Sequence, residues 1–227
     1  MEYKPLNYLI KVTADYVQPK PQNKQVMQNL INEFFSLNFF PKVQEEKTFS
    51  FPMDGSAPQH IINQVLGFIS IDNKWIINFP PDGIEIIYNA NLEDRSNEIN
   101  SENFLIQAKE YFDLLIKFIE VASYKRIGFV CNEISEDFNT DDITNIFSEN
   151  LGHDVIEMQK NVVTRVMKNN IQFNVLKNNG YFAEGKINFI GGVKDFKGVI
   201  QMFDINTNLD SFNTNIIDTI KVLSLEI

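Results

Sequence analysis

Apolar residues fall on every second position in many short segments of the chain. This period is typical of β-strands with one buried side. The segments predicted as strands are 6–13, 49–51, 65–71, 75–79, 84–88, 126–134, 162–166, 171–175, 181–189 and 199–205. The turns between them are short, as at Asp72-Asn73 and Asn178-Asn179-Gly180, which favours antiparallel pairing.

A helical spacing of apolar residues predicts four helices between these strands. Their predicted N-terminal caps are Asn23, Ser101, Thr140 and either Asp210 or Ser211. The clearest helix covers about residues 101–122 and carries one wide apolar stripe, with most of its charges off that stripe. Such a stripe indicates a helix that lies on a sheet.

These elements predict an α+β fold with a mainly antiparallel sheet and amphipathic helices packed on one face. The order β-β-β-helix occurs twice, ending near residues 121 and 224, and suggests a βββα pseudo-repeat. No Pro-, Gly- or Ser-rich linker separates the two blocks. We therefore expect one compact unit over 1–227, with two intimately packed halves, 1–124 and 125–227, as the alternative.

The charge balance bears on the class of partner. The 227 residues include 20 Lys and Arg against 30 Asp and Glu, for a formal net charge of −10. Phosphate backbones repel such a chain on average, so nucleic-acid binding is disfavoured. Two interpretations stay open: the charge serves solubility, or it forms an acidic face for a basic partner.

The cysteine content and the apolar runs bear on location. Cys131 is the only cysteine, so no internal disulfide can form. The N-terminus lacks a basic segment followed by a long apolar run, and no apolar run approaches the roughly 20 residues that span a bilayer. The sequence predicts a cytoplasmic protein without a membrane partner.

Motifs for catalysis and cofactors are missing from the sequence. The two histidines, His60 and His153, lie in polar segments without metal-ligand spacing, and no phosphate-binding glycine loop occurs. Cys131 lies in a predicted strand among apolar neighbours, where a thiol is inert. A Cys131–His153 dyad is the weak alternative. We assign no catalytic residue, metal or cofactor, and we lean against an enzyme.

Three charged residues inside predicted strands are the candidate binding residues: Arg126, Arg165 and Asp204. An arginine flanked by apolar residues in a sheet often needs a carboxylate partner. We expect Arg126 and Asp204 on neighbouring or facing strands, close enough for a charge-assisted hydrogen bond. A ligand-binding arginine and simple solvent exposure are the alternatives.

Two segments resemble an uncharacterised, sporadically distributed prokaryotic family. They are Arg126-Ile127-Gly128-Phe129, which follows the long helix, and Met202-Phe203-Asp204-Ile205-Asn206, which matches a late Leu-x-Asp-Ile-Asp pattern. The chain departs from the family at Val130 and Cys131, where the family has Arg and Tyr, and at Asn206, where it has Asp. The patchy distribution of the family implies an association with mobile elements or defence loci. The resemblance implies no particular activity, because none is established for the family.

We therefore expect a non-enzymatic protein-interaction or regulatory component of antitoxin, immunity or defence-accessory type. Its partner would be another protein or a second copy of the chain. The alternative is a small-ligand binding module with an apolar pocket between sheet and helix, anchored by Arg126 or Arg165.

Overall fold

The computed structural model describes residues 1–50, 59–93, 98–148, 155–189 and 191–226, without the side chains of 44, 46–50 and 59–63. Within these ranges it contains nine strands and four helices. In chain order they are β1 (Lys4–Tyr16), α1 (Lys24–Ser36), β2 (Phe39–Ser50), β3 (Gln59–Ser70), β4 (Trp75–Asn78), β5 (Gly83–Asn89), α2 (Ser101–Leu115), β6 (Val121–Ser135), α3 (Thr140–Phe147), β7 (Glu157–Lys168), β8 (Ile171–Phe189), β9 (Gly192–Asn208) and α4 (Asn215–Glu226).

All nine strands form one open antiparallel sheet, in the order β2-β3-β4-β5-β1-β6-β9-β8-β7. The predicted α+β class and antiparallel sheet are confirmed. The central pair is β1–β6, which joins the first part of the chain to the second, with Tyr8 opposite Cys131 and Ile10 opposite Phe129. Both parts of the chain thus contribute to a single sheet.

Side-chain alternation decides which face of the sheet is covered. In β1 the residues Tyr8, Ile10 and Val12 are buried, while the residues between them are partly exposed. Apolar residues of α1, α2 and α4 pack with these strand residues in one core, and Ile143 and Phe147 of α3 pack on Tyr181 and Val199 of the same face. The helices therefore lie on one face, as predicted.

Aromatic rings fill the layer between the helices and the sheet. Phe104 of α2 is fully buried and stacks on Trp75, with ring centroids 5.4 Å apart. It also contacts Tyr8 and Phe129 of the two central strands. Phe104 thereby links the helical layer to the middle of the sheet. No helix in the described ranges has both the length and the apolar character that crossing a bilayer requires.

Glu98 ties the segment before α2 to the sheet. Its carboxylate accepts hydrogen bonds from Lys74 Nζ at 2.8 Å, Tyr88 Oη at 2.5 Å and the Asn91 amide at 3.0 Å. The Lys74 and Glu98 side chains are only 14% and 7% exposed, which makes this the most buried ion pair among the described residues. A pair so enclosed is costly to break from one side, because the other charge stays buried.

The prediction of a hairpin turn at Asn178-Asn179-Gly180 is wrong. These residues lie inside the 19-residue strand β8, where they pair with both β7 and β9. The turn lies at Asn169-Asn170, whose φ angles are 51° and 61°. Two consecutive left-handed residues give the turn that joins antiparallel strands most easily, and asparagine tolerates that conformation well.

Four predicted helix boundaries shift. The cap of α2 is Asn100 rather than Ser101, and α4 begins at Asn215, beyond the predicted caps Asp210 and Ser211. The cap of α3 is Asn139 rather than Thr140, and its side chain forms a reciprocal capping box with Asp142. The long helix ends at Leu115, and β6 begins at Val121, so the residues up to 122 are not helical. The apolar residues beyond Leu115 still join the core, which is why they extended the helical pattern.

Replacing Phe104 with alanine should destabilise the protein strongly. Loss of a fully buried phenylalanine removes packed apolar surface and leaves a cavity, at about 3–5 kcal/mol. Urea denaturation would measure the change in the free energy of unfolding. Phe35→Ala is the matched control, because this phenylalanine is 61% exposed, and its loss should cost less than about 0.5 kcal/mol. Equal effects would contradict the assigned core.

Candidate functional site

The face of the sheet opposite the helices is the candidate site, and we call it the open face. Since side chains alternate along each strand, the residues between the core positions all point to this side. At one end, the tip of the β8–β9 hairpin lies over it, where Ile187 and Phe196 pack with Ile134 and Leu92. The register shift between Phe182 and Gly185 bends the hairpin there.

A continuous row of side chains crosses the open face, with one residue from each strand. We call it the apolar row. From edge to edge it consists of Phe40, Ile69, Ile76, Ile87, Leu9, Val130, Asp204, Leu176 and Val163. Eight of the nine residues are apolar, and none of them is buried. Phe40 and Val163, at its two ends, are 44% and 69% exposed.

Polar rows flank the apolar row on both sides. One side is an asparagine row, with Met202 as its single apolar member: Asn89, Asn7, Asn132, Met202, Asn178 and Asn161. Within it, Asn132 Nδ2 donates to Asn7 Oδ1 at 2.7 Å. The other side contains Lys11, which pairs with Glu85 at 3.2 Å and with Asp82 at 2.9 Å. The open face is therefore an apolar stripe between two hydrogen-bonding borders.

The structure places all three predicted site residues on this open face. Asp204 lies in the apolar row itself, half-exposed between Val130 and Leu176. Arg165 is exposed on β7, opposite Asn174. Arg126 is exposed on β6, opposite Asn208. Three residues far apart in the sequence thus share one surface.

The predicted contact between Arg126 and Asp204 is wrong. The two residues do lie on neighbouring strands, but the residue opposite Asp204 is Val130. Val130 lies four positions along β6 from Arg126, which is about 13 Å in a strand. Asp204 instead accepts a hydrogen bond from Asn206 Nδ2 at 3.0 Å. Because Arg126 is exposed to water, it does not need the carboxylate partner that a buried arginine would need.

A shallow depression of about 270 Å³ adjoins Asp204. It lies over Gly128, whose lack of a side chain leaves room between β1, β6 and β9. Its lining contains the basic residues Lys11 and Arg126, the acidic residues Asp82 and Asp204, and the apolar residues Leu9 and Val130. This depression is on the open face, whereas the buried side chains between sheet and helices form packed core.

Cys131 is a buried thiol on the covered face. It is 2% exposed, and burial together with the nearby Glu133 carboxylate raises the pKa of its thiol far above the usual range. The same carboxylate accepts a hydrogen bond from Tyr8 Oη at 2.9 Å. A thiol held protonated in this way is a poor nucleophile. His153 and the side chain of His60 lie outside the described residues.

In the part of the chain that the structure describes, no group of three or more His, Cys, Asp or Glu side chains comes together as a metal site would require. Comparison of the chain with protein-family models, curated proteins and solved structures finds no match. The resemblance to the prokaryotic family described above therefore stays a prediction.

The sequence contains a signal of the apolar row, but a search for alternating apolar and polar residues does not detect it. Leu9 lies between Tyr8 and Ile10, and Ile87 lies between Ile86 and Tyr88. Val130 and Leu176 likewise adjoin apolar residues. Consecutive apolar residues in a strand put apolar side chains on both faces of a sheet. The signal identifies a two-sided sheet, but the alignment of the row depends on strand register.

Arg126→Ala should leave stability nearly unchanged. Because Arg126 is exposed and its predicted ion pair is absent, the free energy of unfolding should change by less than about 0.5 kcal/mol. Lys197→Ala, at another exposed strand position, should behave alike. Glu98→Ala should instead cost about 3 kcal/mol, since it leaves the Lys74 charge enclosed without its partner. Urea denaturation of the three variants would measure these changes in the free energy of unfolding. A large loss of stability in Arg126→Ala would contradict the exposed position of this side chain.

Stability should fall as the pH rises from 10 to 12. Burial raises the pKa of Tyr3 and of Tyr111 to about 12, from an ordinary value of 10.0. Well below pH 10 both residues are protonated whether the chain is folded or unfolded. Above it the unfolded chain loses these protons first, which favours unfolding. Melting temperatures measured across this range should decline, and Tyr111→Phe should show a shallower decline. Identical slopes would contradict a buried hydroxyl at Tyr111.

Proposed function

We propose that this chain is a non-enzymatic protein-interaction component that binds a partner protein through the open face of its sheet. The apolar row is the observation that carries the proposal. Monomeric soluble proteins seldom expose an apolar surface that runs across a whole sheet, and such a surface rimmed by polar groups is typical of a binding site. The proposed biological setting is that of an antitoxin, immunity or accessory protein in the cytoplasm.

The shape of the surface favours a protein over a small molecule. Small ligands are generally bound in concave pockets that bury most of their surface. The apolar row instead extends over nine strands, and the depression beside Asp204 is shallow. An extended surface with an apolar centre and polar borders matches the usual anatomy of protein interfaces. A small ligand in a pocket between sheet and helix stays the alternative, and the packed aromatic layer gives it no support.

Asp204 indicates the chemistry of the partner. It is the single charged residue of the apolar row, and docking would remove its carboxylate from water. Burying a charge without a counter-charge is costly. The partner should therefore present a lysine or arginine between apolar groups, with the depression over Gly128 as room for the long side chain. The net charge of −10 would also favour the approach of a basic partner.

We also infer that the two halves of the chain are structural repeats, as the sequence pattern suggested. The first half has the order strand, helix, four strands, helix, and the second has strand, helix, three strands, helix. In the sheet the halves meet at β1 and β6, the first strand of each. This arrangement supports the repeat, although each half begins with a strand and a helix rather than with three strands.

Leu9→Lys should abolish capture of the partner. The substitution replaces an apolar group in the middle of the open face by a charge that repels a basic partner. The tagged chain and the variant would be purified from the native host, and co-purified proteins quantified by mass spectrometry. We expect the amount of co-purified partner to fall at least tenfold with the variant, which corresponds to a loss of about 1.4 kcal/mol in binding free energy. Asp204→Asn, which keeps the shape and removes the charge, should also weaken binding.

Ile106→Lys is the matched control, since Ile106 is 44% exposed on α2, away from the open face. It should retain the partner at the level of the unmodified chain. The proposal fails if the unmodified chain emerges alone at physiological concentration, or if Leu9→Lys captures as much partner as Ile106→Lys.

A further inference from the structure

The two edges of the sheet differ in their capacity to pair with another strand. The edge strand β2 contains Pro41, which has no N–H to donate. The other edge, β7, has 12 residues and no proline. An unprotected edge strand presents a row of free backbone donors and acceptors, which natural proteins usually block.

Three large apolar side chains are exposed on β7. Val162, Val163 and Met167 are 44%, 69% and 63% exposed. Val162 points to the side of the helices, and its exposure means that no described helix covers the middle of this strand. Among the described residues, neither face of the sheet is covered at this part of the edge, as pairing with another strand requires.

We propose that β7 pairs antiparallel with β7 of a second copy, about a two-fold axis at Val163, so that the two sheets become one. A two-fold axis perpendicular to the sheet keeps the open faces of both copies on the same side. Two residues that lie directly opposite each other in antiparallel strands point to the same face of the sheet, whereas adjacent residues of one strand point to opposite faces. The axis must therefore pass at a residue, which then faces its own copy, and not between two adjacent residues.

The register centred on Val163 is the one that the side chains favour. It sets Val163 against its own copy, Val162 against Thr164, and Arg165 against Asn161. No two like charges are directly opposed in it. Centring the axis on Thr164 would oppose Lys160 and Lys168, at a cost, and centring it on Val162 or Asn161 would offset the two apolar rows. The register also joins the apolar rows of the two copies end to end, because Val163 is the terminal residue of each row.

The expected dimer is reversible. Pairing of two 12-residue strands buries a small interface compared with those of permanent dimers, so we expect dissociation in the micromolar range. In sedimentation equilibrium between about 1 and 200 µM, the apparent mass should rise from 26.3 kDa towards twice that value. A single mass of 26.3 kDa over the whole range would overturn the proposal.

Charge substitutions at the axis test the register itself. Val163→Lys should weaken dimerisation at least tenfold, because it opposes two like charges, and Val163→Glu should do the same. An equimolar mixture of the two variants should recover the dimer, since lysine then faces glutamate. Val193→Lys is the matched control: Val193 is also an exposed valine, at 63%, but it lies in β9. If Val163→Lys dimerises like Val193→Lys, the interface lies elsewhere and the proposal fails.

Cross-linking gives a second readout. Opposed residues of antiparallel strands have Cα atoms about 4.5–5.5 Å apart, which a disulfide can bridge. Val163→Cys should form a covalent dimer on mild oxidation, without interference from Cys131, which is buried. Val193→Cys should not. This inference does not rest on partner binding: Leu9 lies four strands from β7, so Leu9→Lys should keep the dimer even where it loses the partner.

Discussion

The pairing of β1 with β6 is the constraint on which the rest of the structure depends. It is the only backbone pairing between strands of the two halves within the described sheet, and it sets their relative register. A shift of one residue would move Tyr8 and Ile10 from the core to the open face and bring Leu9 inward. The contacts of Tyr8 and Phe129 in the aromatic layer and the junction of the apolar row between the two halves both depend on this register.

Because the helices cover only one face of the sheet, the two faces differ in composition and in exposure to water. The covered face carries aromatic rings such as Tyr8 and Phe129, which the helices remove from water. The open face carries mainly aliphatic groups, with Phe40 at one end, interrupted at Asp204 and bordered by amides and ion pairs. The polar borders limit non-specific association, while the apolar centre stays available. This division explains how a stable core and an exposed apolar stripe coexist in one sheet.

The sequence predicts what depends on local order and misses what depends on register. The alternation in β1 and the stripe on α2 reflect the geometry of single elements, and both appear in the structure. Arg126 and Asp204 were placed correctly on strands, but their separation depends on a pairing between residues about 80 positions apart. The turn assigned to Asn178-Asn179-Gly180 failed similarly: strands on both sides supply its backbone with partners, and the tertiary context overrides the local turn preference.

The difference between the sheet edges also determines where an assembly would stop. Two identical reactive edges on each copy would permit open-ended growth of the sheet, as in fibres. Pro41 deprives β2 of one backbone donor, so β2 is the weaker of the two edges for pairing with another strand. A pair joined through β7 about a two-fold axis uses both stronger edges and presents β2 at its two ends. The proline that limits pairing at one edge is thus what makes an exposed strand at the other compatible with a closed dimer.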